Sequence, residues 1–276
     1  MTAQPDIATL QRVVADGAIT ARSYRGFTRV DRLWQEGAAK IRLPARDGGP
    51  LEAVLINTAG GLTGGDRIAW TVNAGEDAAI TLTTQACEKV YRSSGGRAEA
   101  ENTIRAASGA KVSWLPQETI VYDRSAFSRT LNVDLAVDAE ALLLEATVFG
   151  RQAMGENVHF AEFRDRWRVR VGGSLVHCED FRISGDITDI LSHNATAAGA
   201  RAFATLLIIR PDVERLVEPA RAIIGSDGGA STWTVGGTGK LLARLASADG
   251  YSLRQRLVPL VGLLNGQAGL PKIWST

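Results

Sequence analysis

The chain has 276 residues, of which 45% are hydrophobic and 22% are charged, the composition of a globular protein with a substantial buried core. Its 31 Lys and Arg residues balance 30 Asp and Glu, and a net charge of +1 argues against nucleic acid or an anionic membrane as partner. The sequence has no run of about 18 apolar residues, so no membrane-spanning helix is predicted. Residues 1–18 lack the apolar centre of a secretory signal. The two cysteines, Cys87 and Cys178, are typical of a reducing compartment, so we expect a cytoplasmic location.

Residues 24–183 are dominated by alternation of apolar and polar side chains, which predicts half-buried β-strands. Clear examples are the segments IAWTVNA, AITLTT and LNVDLAVD. Gly, Asn, Asp and Ser separate these runs at short intervals, as expected for tight turns between strands. This part of the chain is therefore predicted to form a long all-β body.

The pattern changes after residue 192, where Ala- and Leu-rich segments predict helices over 195–210, 212–224 and 252–266. Pro259 is expected to kink or break the last helix. Between these helices, STWTVGG and KLLARLAS predict short strands. With no convincing linker, we predict one domain over residues 1–276, mostly β, with a few α-helices in the C-terminal third.

The segment INTAGGLTGGD (56–66) carries two Gly pairs but does not fit a phosphate-binding loop. A P-loop needs Lys and Ser or Thr after its glycines and a helix next, whereas here an alternating, strand-like run follows. VGGTGKL (235–241) also fails, because Leu241 stands where a hydroxyl is needed. The glycines are therefore interpreted as tight turns. Asp66, at the end of the loop, could be a turn cap or a metal-facing ligand.

The segment WRVRVGGSLVHCEDFRI (167–183) predicts a β-hairpin with a two-residue turn at Gly172 and Gly173. In that register Val171 faces Ser174, Val169 faces Val176, Trp167 faces Cys178 and Arg166 faces Glu179. Cys178 is then an ordinary core thiol. Glu179 either pairs with Arg166 on a solvated face or has a functional role.

Glu145 interrupts the apolar strand predicted over ALLLEATVFG (141–150), in which both faces are expected to be buried. A lone ionised carboxylate in such a place is costly unless it is paired, hydrated or metal-bound. Two interpretations stay open. The side chain forms a buried ion pair, with Arg151 or Lys89 as the candidate partner, or it lines an internal polar passage.

Several segments together resemble the UreD (UreH) family of urease accessory proteins, in the same order and over nearly the whole chain. Besides INTAGGLTGGD and the hairpin, they are LTTQACEKVYRS (82–93), WLPQETIVYDRSAF (114–127), FGRQAMGE (149–156) and LPKIW (270–274). Two departures are small: Cys87 stands where the family usually has a small residue, and Lys272 replaces a more typical Arg.

The resemblance implies a metallochaperone scaffold without enzymatic activity, needed to insert nickel into apo-urease. Its fold would be a flattened, β-helix-like stack of strands with a few helices. The implied partners are apo-urease, UreF and, through UreF, the GTPase UreG, in a complex that can form a dimer of heterocomplexes. No cofactor would be bound permanently, and nickel would be in transit.

The resemblance also implies an internal channel for Ni²⁺, with Asp66, Glu145 and Glu179 as its lining residues and Glu118 as a fainter candidate. Clustered His and Cys would trap Ni²⁺, whereas scattered carboxylates bind it weakly enough to release it. The helices predicted over 195–210 and 212–224 are candidates for docking UreF, although their apolar residues are equally explained as core.

Two other classes of function are retained as alternatives. A β-rich hydrolase would use paired Glu and Asp residues, but no convergent acid–base set and no G-x-S-x-G motif is visible in the sequence. A passive assembly scaffold would bind the same partners without carrying metal, and neutralising its internal acids would leave it active.

Overall fold

The computed structural model describes residues 12–45, 49–151 and 155–275. Residues 1–11 of the N-terminal stretch and 152–154 of FGRQAMGE lie outside these ranges. Strands and helices follow one another along the chain. The strands are β1 (Val14–Tyr24), β2 (Phe27–Glu36), β3 (Ala39–Arg42), β4 (Leu51–Asn57), β5 (Arg67–Ala74), β6 (Ala79–Thr84), β7 (Glu88–Val90), β8 (Ala98–Ala106), β9 (Lys111–Trp114), β10 (Thr119–Val121), β11 (Ser125–Leu135), β12 (Glu140–Phe149), β13 (Ala161–Val171), β14 (Ser174–Gly185), β15 (Ala202–Ile209), β16 (Gly228–Val235) and β17 (Thr238–Ser247). The α-helices are α1 (Ile187–Ser192), α2 (Val217–Ile224) and α3 (Gly250–Asn265), with short 3₁₀ turns at Val213–Leu216, Gly225–Asp227, Gly266–Ala268 and Lys272–Ser275.

The strands form two sheets, and between β2 and β15 the chain passes repeatedly from one sheet to the other. In the described residues, the seven-stranded sheet has the order β14-β13-β11-β8-β5-β1-β2, and its five central strands run parallel. The ten-stranded sheet has the order β16-β17-β15-β12-β9-β6-β4-β3, with β10 beside β12 and β7 beside β10. Its strands β4, β6, β9 and β12 are also parallel. This solenoid-like stack confirms the predicted fold class.

Two hydrophobic layers hold the stack together. One lies between the sheets and contains Trp70, Leu131, Leu143 and Trp167. The other lies between the outer face of the ten-stranded sheet and the helices, where Leu142 and Leu144 of β12 meet apolar residues of α2 and α3. β12 is therefore covered on both faces, as its sequence predicts.

The helix predicted over 195–210 is wrong. Residues 193–200 form turns, and β15 follows, pairing with β12 and β17. The strand is buried on both faces, so its apolar residues run continuously and show no period of two. A run of this kind cannot be distinguished from a buried helix by periodicity alone.

The other C-terminal predictions agree better with the structure. The segment 212–224 forms a 3₁₀ turn followed by α2, and STWTVGG and KLLARLAS lie in β16 and β17. Helix α3 begins at an Asp249 cap, whose Oδ1 accepts a hydrogen bond of 2.8 Å from the Ser252 amide. The helix continues through Pro259, so the proline does not break it.

Candidate functional site

Glu145 is buried between the two sheets and is paired, with 4% of its surface exposed. It lies on the inner face of β12, the face that also carries Leu143. The Arg129 guanidinium reaches it from β11 of the facing sheet, with an Nη1–Oε2 distance of 2.6 Å. Trp114 Nε1 donates to Oε1 at 3.0 Å. The partner is therefore Arg129, and the expectation of Arg151 or Lys89 is wrong. Arg151 pairs with Glu156 instead.

Arg129 also binds a second buried carboxylate, that of Asp165 in β13. Arg129 Nε and Nη2 donate to the two oxygens of Asp165 at 3.1 and 2.7 Å, a bidentate arrangement. Arg129 Nη1 donates to Thr119 Oγ1 at 2.9 Å, and Trp167 Nε1 donates to Asp165 Oδ1 at 3.1 Å. One guanidinium thus serves two carboxylates in a region closed to solvent.

Burial and neighbouring charges move the pKa values of this group in opposite senses. Burial raises the pKa of Glu145 to about 7, against the Arg129 charge that lowers it, and the nearby Asp165 carboxylate raises it further. Burial lowers the pKa of Arg129, but the carboxylates of Asp165 and Glu145 outweigh this effect and raise it overall. Arg129 therefore stays charged while Glu145 lies close to its titration point at neutral pH.

The β13–β14 hairpin has the predicted turn, but its register differs beyond the first two pairs. Val171 faces Ser174 as predicted, then a bulge shifts the pairing by one residue, so that Arg168 faces Cys178 and Trp167 faces Glu179. Cys178 is exposed, which corrects its prediction as a core thiol. A two-residue period cannot reveal such a bulge, because one extra residue reverses every face beyond it.

Because of the bulge, Glu179 faces the other sheet. Its predicted partner Arg166 lies opposite Asp180 instead, and Glu179 accepts a hydrogen bond from Arg244 of β17. Its side chain is 16% exposed. Glu179 and Arg244 thus join β14, the edge strand of the seven-stranded sheet, to β17 of the ten-stranded sheet.

A cavity of about 360 Å³ opens at this edge, lined by residues that include Leu175, His177, Cys178, Trp233, Lys240 and Arg244. Lys240 Nζ donates to the Val176 carbonyl and lies 4.6 Å from the centre of the Trp233 ring. His177 packs its ring against Trp167, and its Nε2 is buried without a hydrogen-bond partner. Burial, together with the charges of Lys240 and Arg244, lowers the pKa of His177 to about 4. The imidazole is therefore neutral at pH 7.

Asp66 holds the glycine-rich turn between β4 and β5. Its Oδ1 accepts from the Val13 amide at 2.8 Å and its Oδ2 from the Thr63 amide at 2.7 Å. Gly60 and Gly65 have φ angles of +77° and +90°, which confirms the interpretation of the glycines as turn residues. These contacts are those of a turn cap, one of the two roles left open for Asp66.

Glu118 lies just before β10 and faces the helices. Arg254 Nη1 of α3 donates to its two oxygens at 3.1 and 3.0 Å, and the Cys87 thiol donates to Oε2 at 3.4 Å. Burial and the Glu118 charge raise the pKa of Cys87 to about 11. This group lines an apolar cavity of about 650 Å³ beside the start of α3.

Comparison with known proteins places this chain in a family. The family model described as "UreD urease accessory protein" matches residues 15–275. The chain belongs to the UreD family. Curated relatives agree over nearly their whole length. A urease accessory protein UreD of Mesorhizobium japonicum is 60% identical over 265 residues, which is 96% of this chain and 95% of the relative. Proteins named urease accessory protein UreD 1 from Brucella abortus and Brucella anthropi are each 53% identical and cover 95% of their own length. The resemblance seen in the sequence is thereby confirmed.

In this UreD-family chain, two of the predicted site residues share one layer. Glu145 and Glu179 both lie between the sheets, and the side chains of Trp167, Asp165 and Arg129 connect them. Asp66 lies just before β5 and Glu118 on the helix side, and neither contacts this group in the hydrogen bonds described above. Among the described residues, no group of three or more His, Cys, Asp or Glu is placed to hold a metal ion.

The sequence analysis missed Arg129 and Asp165. Both occupy inward positions of alternating strands, Arg129 between Phe127 and Leu131, and Asp165 between Phe163 and Trp167. A charged residue on an otherwise apolar face is the signal that marks them, as it marks Glu145. In the described ranges, no helix is long and apolar enough to cross a membrane.

Proposed function

We propose that this protein is an accessory factor in the maturation of urease and acts in the cytoplasm without enzymatic activity of its own. The observation that carries the proposal is the nearly full-length match to relatives named urease accessory protein UreD. In this proposal the chain binds apo-urease and UreF, and recruits the GTPase UreG through UreF. Two such heterocomplexes can then associate as a dimer.

We further propose that Ni²⁺ passes through the protein by way of Glu145 and Glu179, with Asp66 as a third carboxylate on the path. Support comes from the inter-sheet layer, where Glu145 and Asp165 approach the same point from facing sheets and Glu179 lies towards the open edge. Isolated carboxylates hold Ni²⁺ less tightly than clustered His and Cys would, so they release it more readily. Nickel is cargo here and no resident metal is required.

A second candidate is a passive scaffold that assembles the complex without carrying metal. One observation favours it: the carboxylates of Glu145, Glu179 and Glu118 are each bound to an arginine, and that of Asp66 is bound to backbone amides. The hydrolase alternative gains nothing from the geometry, because Glu145 and Asp165 are buried and share one guanidinium.

Activation of the cognate apo-urease in a reconstituted mixture tests these candidates. The triple variant Asp66→Ala, Glu145→Ala, Glu179→Ala is expected to assemble with its partners but to load less nickel, measured by metal analysis of the purified urease. The matched control is Arg164→Gln with Asp180→Asn, which removes an exposed pair on the same hairpin. Full nickel loading of urease with the triple variant would contradict the proposed nickel path and would favour the passive scaffold.

A further inference from the structure

The guanidinium of Arg129 fills the place between the two inter-sheet carboxylates. It donates to both oxygens of Asp165 and contacts Oε2 of Glu145, with only 4% of its own side chain exposed. Thr119 Oγ1 accepts another of its hydrogen bonds, and its Cζ lies 6.0 Å from the centre of the Phe163 ring. Every oxygen of this carboxylate pair therefore already has a donor, since Trp114 Nε1 binds the other oxygen of Glu145.

A divalent ion and this guanidinium compete for the same oxygens. A second cation beside Arg129 would meet a unit positive charge at contact distance in a poorly screened interior. Without Arg129, the two carboxylates would face each other in a place closed to solvent, and either a proton on Glu145 or a divalent cation would have to reduce their charge. The pair therefore accepts either the arginine or a divalent ion, and not both.

We infer that Arg129 is the positioning residue that controls this step of the path, and that Asp165 is the second carboxylate acting with Glu145. The inference rests on the proposed nickel path. Cargo enters when the guanidinium leaves the pair, and the guanidinium returns when the cargo moves on. Because Arg129 and Asp165 belong to one sheet and Glu145 to the other, a partner that shifts the sheets relative to each other alters this exchange.

Nickel binding by the purified full chain tests the inference, with NiSO₄ as the probe in equilibrium dialysis. Arg129→Gln is expected to bind Ni²⁺ at least about thirtyfold more tightly than wild type, because a unit charge about 4 Å from the divalent ion is removed. Arg164→Gln is the matched control and should leave binding unchanged, since Arg164 holds Asp180 in a bidentate pair on the exposed face of the hairpin that also carries Asp165. Arg129→Gln combined with Asp165→Asn should lose the gain, because only one carboxylate is left.

Circular dichroism shows whether each variant is folded. If Arg129→Gln does not fold, Arg129→Lys keeps a positive charge but cannot hold both carboxylates in the same way, and a gain of roughly threefold is expected. A folded Arg129 variant that binds nickel no more tightly than wild type would overturn the inference. The two proposals fail separately. If the Arg129 variants gain affinity while the triple Ala variant still loads urease fully, competition between Arg129 and nickel for the carboxylate pair stands and nickel delivery to urease through this path does not.

Discussion

Arg129 of β11 and Glu145 of β12 meet at 2.6 Å although they belong to opposite sheets. Together with the hydrogen bond from Arg129 to Thr119 of β10, this ion pair joins the two layers of the solenoid. Asp165 completes the group, so the charge count is one cation against two carboxylates.

This charge count predicts an order of stability for two variants. Arg129→Gln leaves two buried carboxylates without a cation and should lower the free energy of unfolding by about 3–5 kcal/mol. Glu145→Gln leaves the bidentate Arg129–Asp165 pair intact and keeps an oxygen for Trp114, so a loss of about 1–2 kcal/mol is expected. Urea unfolding measures both. Equal losses would show that Glu145, and not Asp165, is the main partner of the arginine.

The lowered pKa of His177 predicts an acid-sensitive contribution to stability. The folded state has a pKa of about 4 against the ordinary 6.5, so the unfolded chain binds more protons between these values. Stability from His177 is thus present above pH 6.5 and lost as the pH falls towards 4. Between pH 7 and pH 5 the loss should be about 2 kcal/mol.

His177→Leu isolates this contribution, because the pKa of Glu145, raised to about 7, acts with the opposite sign in the wild type. Urea unfolding at pH 7 and pH 5 should show a smaller loss of stability on acidification in the variant than in the wild type. Identical losses would mean that His177 is not buried beside Lys240 and Arg244 in solution.

Two glycines of the turn before β5 are expected to respond differently to alanine. At Gly64 a Cβ would lie 2.0 Å from Ser93 Oγ and 2.4 Å from the Gly95 carbonyl oxygen, so Gly64→Ala should destabilise by about 3 kcal/mol. At Gly60 there is open space, and only the positive φ is strained, at a cost of about 1 kcal/mol. Thermal unfolding compares the two, and a reversed order would contradict the packing of the turn.

The two thiols should differ in reactivity. Cys178 is exposed, whereas Cys87 is partly buried beside Glu118 with its pKa raised to about 11, so only about one thiol in a thousand is ionised at pH 8. A colorimetric disulfide reagent at pH 8 should therefore show one fast and one slow cysteine. Cys178→Ser should abolish the fast phase, and Cys87→Ser should retain it. A fast phase that survives Cys178→Ser would place Cys87 at the surface.

Asp66 should act as a cap whether or not it also meets nickel. Asp66→Ala leaves the amides of Val13 and Thr63 without their acceptor and is expected to lower stability by about 1–2 kcal/mol, whereas Asp66→Asn keeps one acceptor oxygen and should lose less. Chemical denaturation gives these values. If Asp66→Asn matches wild type in stability but lowers nickel loading of urease, its role on the path is separate from its role in the turn.

Much of this fold could be predicted from the sequence because a strand with one apolar face shows alternating apolar and polar side chains. β5, β6 and β11 were found in this way. Alternation does not reveal β15, because both faces of this strand are buried and its continuous apolar run has no period of two. A solenoid's register is also set by partners far away in the chain, and no local pattern specifies them.

The site was harder to predict than the fold. Glu145 was visible as a charge in an apolar strand, but its partner lies 16 residues earlier in a strand of the other sheet, and sequence offers no rule for such a meeting. Glu179 was assigned to the wrong partner because a single bulge at Val176 changed its face. The sequence was enough to select the acidic candidate residues, whereas their contact partners depend on how the two sheets are stacked.

The double coverage of β12 has a consequence for synthesis on the ribosome. Leu142 and Leu144 are made well before β15, β17 and α3, the elements that lie beside and over them. A nascent chain that has reached the end of β14 would expose the apolar outer face of β12 until about 80 more residues have emerged. Exposed apolar surfaces of this kind promote aggregation. Slow translation or truncation of the C-terminal third should therefore lower the yield of folded protein more than slow translation or truncation near the N-terminus.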